Sequence, residues 1–281
     1  MEIEYAISRI SCSTFASYSS PNNGGCISIS NAKIPVEIQN CNFINASSSL
    51  EGGAIYIYNS PTNLSYDYFY GCASNYKTNG KYGNAMLILQ SSSNFNESSC
   101  YLCAKDYSMY SDSCVCSVNG KFVSAFCNGT NNYGKEGSGF IGIHFSEPGT
   151  LVKFNKVYKC FDRFYFEFEL NIITVSFCDF IDASGQTSSY SVGECTVTFQ
   201  NCVFFDALNK PIFQYGSIKV QFVNCMSNEN HPDVTFTSLN KEEYQISFLN
   251  NQMICKQVKC SIFVNQRLIY YIFLLEFVTV E

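Results

Sequence analysis

The stretch Val197–Ala207 reads VTFQNCVFFDA, and its pattern decides the fold. Val197 and Phe199 are apolar with a polar residue between them, the period of two that gives a strand one buried face. Asn201-Cys202 then interrupts the strand, a short apolar run follows, and Asp206 closes the unit. The same unit recurs as VEIQNCNFINA from Val36, ITVSFCDFIDA from Ile173, VQFVNCMSNEN from Val220 and ISFLNNQMICK from Ile246. In each, the third and fifth residues before the anchor are apolar: Ile38 and Val36, Val175 and Ile173, Phe199 and Val197, Phe222 and Val220, Phe248 and Ile246.

The anchors Cys178, Cys202, Cys225 and Asn251 fall 24, 23 and 26 residues apart. At ~3.3 Å per extended residue, that length suits one circuit of three short strands with their corners. Looser instances at Cys12, Cys41, Cys72, Cys100 or Cys103, Cys127 and Cys160 have longer spacings, which leaves room for corner loops in the amino-terminal half. A second repeated step lies between anchors, GGCISI from Gly24 and GGAIYI from Gly52, echoed by GNAMLIL from Gly83 and SGFIGIHF from Ser138. Glycine supplies the positive φ a tight corner needs, and Asn45, Asp182 and Asp206 are side chains that tolerate the left-handed region.

Composition agrees. The 281 residues are 46% hydrophobic and only 14% charged, with 25 Phe and 20 Tyr, which favours half-buried pleated surfaces over charged helix faces. No stretch of 12 or more residues combines a 3.6-residue period with helix caps. A β-sandwich or barrel also uses many short strands, but a motif recurring at coil length favours a solenoid. The expected fold is all-β, a single-stranded right-handed parallel β-helix (β-solenoid). It is expected over residues 1–262, with irregular long-loop coils to about 160 and regular coils of 23–26 residues after it. Residues 263–281 form an apolar tail in which Leu268–Leu275 is bracketed by Arg267 and Glu276; it reads as an end cap or a truncated membrane anchor, being short of the ~20 residues a span requires.

The GGAI element at Gly52–Ile55 and the shortened steps Phe43-Ile44-Asn45, Phe180-Ile181-Asp182 and Phe204-Phe205-Asp206 resemble the polymorphic outer-membrane-protein repeats and the right-handed β-helix surface proteins of parasitic protists. The resemblance spans about residues 1–260 as a pattern. It implies a pectin-lyase-like β-helix exposed at a cell surface or outside the cell, with adhesion to a host or matrix protein or glycan as its role. The first residues, MEIEYAISRISC, lack the apolar run of an export signal.

In a parallel stack, equivalent residues lie ~4.8 Å apart with parallel Cβ vectors, a poor geometry for a disulfide. Cys41, Cys178, Cys202 and Cys225 are therefore expected as a structural stack of mostly reduced, packed thiols. The cluster Cys100, Cys103, Cys114, Cys116 and Cys127 leaves three readings open: a zinc knuckle, local disulfides, or packed thiols.

No catalytic residue, metal or cofactor is assigned. Asp182 and Asp206 are spaced as carboxylates on neighbouring coils, as a lyase or hydrolase of this fold type would need. They nonetheless share the turn position of Asn45, which reads as corner chemistry. His144 is expected to point outward, on the parity opposite Ile141, Ile143 and Phe145, and His231 sits in a loop before Pro232. With a net charge of −6 and no basic stripe, nucleic acid is not an expected partner. Four sequons, at Asn45, Asn63, Asn96 and Asn128, are candidate glycosylation sites, with Asn63 and Asn128 expected in polar loops. The run Tyr56, Tyr58, Tyr66, Tyr68 and Tyr70 places several rings on one face, either to stack a sugar or to pack coil on coil. The expected function is non-catalytic surface adhesion or ligand binding, with a carbohydrate-active enzyme and an inert repeat as the alternatives.

Overall fold

A computed structural model describes residues 8–74, 83–104, 113–164, 166–169, 172–182, 190–193, 196–207, 213–215, 219–227 and 237–238. The readings made at Asn251, at His231 and on the tail at 263–281 lie outside the described residues. Among the described residues there is no helix, and the strands stack into a nine-stranded, a ten-stranded, a second nine-stranded and a short three-stranded sheet. Pairing is parallel and runs from one coil to the next: Val36–Gln39 pairs with Thr62–Ser65, Thr196–Gln200 with Lys219–Val223, and Ile55–Tyr58 with Met86–Leu89. The molecule is a parallel β-solenoid.

Each coil visits the first sheet (for example Val36–Gln39), the second (Asn42–Ile44) and the third (Ile55–Tyr58). A single left-handed residue bends the chain at each corner. At the first corner these are Cys12, Asn40, Tyr66, Glu97, Phe126, Phe154, Phe177, Asn201 and Asn224, with φ of +48° to +59°. Asn45, Asp182 and Asp206 occupy the second corner with φ of 49–50°, as their turn chemistry predicts. The bend does not interrupt the ladder, because the N–H of the bent residue donates to the strand-end carbonyl of the next coil, as Asn40 does to Ser65 and Asn201 to Val223.

In the glycine pairs the two residues have different tasks. Gly52 takes φ +65°, while Gly53 lies so close to the neighbouring backbone that an added Cβ would strike the carbonyl of Asn84. In the next coil Asn84 stands in the second position, and its side chain accepts from the Ser74 N–H and donates to the Tyr133 carbonyl.

The interior is filled by stacked rows. Phe15, Phe43 and Phe69 form a column on the inner face of the second sheet, with centroids 5.1 and 4.8 Å apart. The column continues as Cys100, Gly129 and Val157 before Phe180 and Phe204 resume it. The Phe140 ring fills the volume left at Gly129, where a Cβ would overlap it.

Candidate functional site

At the first corner the residue after each bent one points inward and forms a column of its own. It includes Cys41, Asp67, Ser98, Cys127, Asn155, Cys178, Cys202 and Cys225, all buried. Its rule is a small side chain that bonds backbone two residues earlier: Cys41 Sγ donates to the Gln39 carbonyl at 3.3 Å, Ser98 Oγ to Asn96 at 2.8 Å and Cys178 Sγ to Ser176 at 3.3 Å. The same side chain can also accept from the coil before it, as Asn155 Oδ1 does from the Cys127 N–H and Asp67 Oδ1 from the Cys41 N–H, both at 2.9 Å. Cys41, Cys178, Cys202 and Cys225 all stand in this column, where Asp67, Ser98, Asn155 and Cys127 separate Cys41 from the other three.

The looser anchors are not one series. Cys127 lies in the first-corner column, whereas Cys72, Cys103 and Cys160 follow the second-corner residues Gly71, Leu102 and Lys159. Cys12 is itself a bent residue, exposed at the first corner. The physical reason is that both corners demand the same thing, a small inward group after a left-handed residue, so a cysteine alone does not say which corner it marks.

Among the described residues no cysteine is paired in a disulfide. Cys100, Cys103 and Cys114 lie in mutual contact inside the core, and burial pushes all three thiols well above the ordinary range. Neutral thiols are poor nucleophiles and poor ligands. Among the described residues no group of Cys, His, Asp or Glu is arranged to hold a metal ion.

The carboxylates divide in the same way. Asp182 and Asp206 stand at exposed corners, and Asp182 faces Lys159 at 4.0 Å. Asp67 is buried in the first-corner column, where desolvation raises its carboxyl to about 8. His144 lies on the outward row of the third sheet, in register with Val118 and Leu89, as its parity predicts. It is nevertheless buried, because that row is covered: Leu87 and Cys116 are fully buried there too.

The tyrosine run does not make one face. Tyr56 and Tyr58 belong to the third sheet, Tyr66 is a first-corner residue bonded to Glu97, and Tyr68 and Tyr70 belong to the second sheet. In the second sheet Tyr70 meets Tyr68 along the strand at 6.5 Å and Tyr101 of the next coil at 5.7 Å.

The most unusual exterior feature was not singled out in the sequence. Phe126, Phe154 and Phe177 succeed one another at the first corner, all left-handed, with rings 4.8 and 5.1 Å apart and tilted by 3° and 15°. Phe177 is 45% exposed. The signal lay in the residue before each anchor, where FC, FN and FC replace the NC of other coils.

All four sequon asparagines lie outside the core. Asn45 is an exposed corner, while Asn63, Asn96 and Asn128 are outward positions on strands Thr62–Ser65, Ser93–Asn96 and Asn128–Thr130. Asn63 and Asn128 are thus on strands rather than in loops, since the corners are too tight to hold loops there. The buried Asn42, Asn84, Asn132 and Asn155 are not sequons. No family model, no curated protein and no solved structure matches the chain.

Proposed function

We propose that the chain is a non-catalytic rod, displayed at a cell surface or secreted, that adheres to a host or matrix partner through the ridge formed by Phe126, Phe154 and Phe177. The solenoid is read as right-handed, the hand that parallel strand connections adopt in nearly all cases, and of pectin-lyase-like type. The ridge is the observation that carries the proposal. Three L-residues in the left-handed region cost about 3–6 kcal/mol together, and two stacked ring contacts offset only about 1–3 kcal/mol. Asn40, Asn201 and Asn224 fill the same corner in other coils at lower cost. Strained bulky residues on an exposed edge are the kind of feature kept for contact with a partner. The outward placement of Asn45, Asn63, Asn96 and Asn128 fits glycosylation in a secretory compartment.

The test replaces Phe126, Phe154 and Phe177 together with Asn. The variant is expected to keep its β-type circular dichroism and melting temperature while losing at least tenfold in adhesion to immobilised matrix proteins. Undiminished adhesion rejects the ridge, and turnover of a uronate polymer by the wild-type chain rejects the non-catalytic reading.

A further inference from the structure

Cys100 and Cys114 approach each other across the core from neighbouring strands of the coil. Cys100 belongs to the inward row of the second sheet, which runs Phe43, Phe69, Cys100 and Gly129. Cys114 enters the third sheet in the backbone ladder Ala54, Ala85, Cys114. On the next coil Phe140, the residue before the Val115 partner Ile141, fills the space left at Gly129. The bulk of the core therefore moves from Phe69 in the second sheet to Phe140 in the third. In the coil between them two thiols of middle size meet, both fully buried.

Their partners set this pair apart from the other buried cysteines. Cys100, Cys103 and Cys114 are hydrogen-bonded to one another through their thiols. Cys103 Sγ also lies 3.7 and 3.8 Å from the Phe69 and Tyr101 carbonyls, repeating the contacts of Cys72 Sγ with Phe43 and Tyr70 one coil earlier. Cys178, Cys202 and Cys225 are held in the same way by the Ser176, Gln200 and Val223 carbonyls. Those thiols serve the corners in stacked columns, where parallel Cβ vectors oppose a disulfide. Cys100 and Cys114 follow no bent residue, and their thiols face each other from different sheets.

We propose that Cys100 and Cys114 are a disulfide site, oxidised while the chain folds and then sealed in the core. In the open chain both thiols are accessible and ionise in their ordinary range. One thiolate attacks a low-molecular-weight disulfide such as glutathione disulfide, forming a mixed disulfide and releasing one glutathione thiolate. The second protein thiolate attacks the protein sulfur of that mixed disulfide and releases the other glutathione. Two protein thiols are oxidised to one S–S bond, and one glutathione disulfide is reduced to two thiols, which take up the protons the protein thiols gave up. Once the coil closes, burial keeps out oxidant and reductant alike. Surface display or secretion, the reading proposed above, places the chain where such an oxidant is present, but the chemistry does not depend on it.

The full chain is reduced in denaturant, refolded in a glutathione redox buffer, alkylated in denaturant and mapped by peptide mass spectrometry, with fragmentation to resolve Cys100 from Cys103. In the folded fraction Cys100 and Cys114 are expected in one disulfide, with Cys103, Cys178, Cys202 and Cys225 alkylated. Dithiothreitol is expected to open the bond at least tenfold more slowly in the folded chain than in denaturant. Cys114→Ala, which repeats Ala54 and Ala85 of the same ladder, is expected to fold and to leave Cys100 alkylated, whereas Cys103→Ser is expected to keep the bond. The same map is made on protein exported to the oxidising periplasm of a bacterial host, so that a poor refolding yield does not decide the result. Free thiols at Cys100 and Cys114 in the folded wild-type chain, or a bond from either one to another cysteine, overturn the site. Neither preparation depends on where the chain resides or on the phenylalanine ridge, so failure of this site and failure of the adhesion reading are told apart.

Discussion

Two phenylalanine columns run along this solenoid with nearly the same geometry and opposite surroundings. Inside, Phe15, Phe43 and Phe69 stack at 5.1 and 4.8 Å; outside, Phe126, Phe154 and Phe177 stack at 4.8 and 5.1 Å. The spacing is therefore set by the coil pitch and not by burial. Ring contact is common to both columns, so any difference in what they contribute to stability comes from water exclusion and backbone strain.

The inner column should dominate. Phe69 is fully buried between Phe43 and Phe95, and Phe69→Ala is expected to cost about 3–5 kcal/mol through lost transfer energy and the cavity left behind. Denaturant unfolding measures this as a lower midpoint at constant slope. A loss under about 1 kcal/mol would erase the distinction between the two columns, since surface changes have effects of that size.

Asp67, two residues before Phe69, makes the inside of the coil sensitive to pH. Its carboxyl is raised from 3.8 to about 8 by burial, so the folded state holds a proton that the unfolded state has released. The stability tied to this group is fully present below about pH 4, falls as pH rises, and is lost once pH passes about 8. Asn155 shows that an amide fits the same column, accepting from the Cys127 N–H and donating to Ser124 Oγ. Asp67→Asn is therefore expected to be near neutral at pH 4 and to stabilise by a few kcal/mol at pH 9. Melting curves across that range check it, and a parallel displacement of both proteins at every pH would remove Asp67 as the cause.

How much of this was legible in the sequence follows from what each position requires. Strand faces were readable because a buried row demands an apolar residue at every second position, as at Ile173 and Val175 or Val197 and Phe199. Corners at Asn45, Asp182 and Asp206 were readable because few side chains suit positive φ. The assignment of Cys72, Cys103 and Cys160 to the second corner was not readable, because both corners accept a thiol. The ridge was missed because Phe is an unfavourable corner residue, and a search built on favourable turn chemistry passes over it. Which tyrosines meet across coils, as Tyr70 and Tyr101 do, needs the register between coils, which depends on loop lengths that no local pattern reveals.

The outer column should matter little to stability. Phe154→Asn removes two ring contacts and relieves one strained backbone, effects of about 1 kcal/mol each and opposite in sign. The expected change is within about 1 kcal/mol in either direction. A loss comparable to that of Phe69→Ala would mean that the ridge holds the fold together, and its reading as a contact surface would be unnecessary.

The smallest effect on stability comes with the sharpest contrast between inside and outside. Cys12 is an exposed bent residue, while Cys41, one coil on, sits a single position later in the corner and is fully buried. With a thiol reagent near pH 8 on the folded protein, alkylation mapped by peptide should reach Cys12 within minutes and leave Cys41, Cys178 and Cys202 unmodified until denaturant is added. Cys26 is intermediate, half-buried with its thiol pushed up to about 12, and should react slowly. Cys12→Ser should remove one fast-reacting thiol and Cys41→Ser none, since Ser98 shows that a hydroxyl satisfies the same inward position. Rapid modification of Cys41 in the folded chain would place that residue on the outer surface, and the rule that each bent residue of the first corner is followed by an inward one would fail.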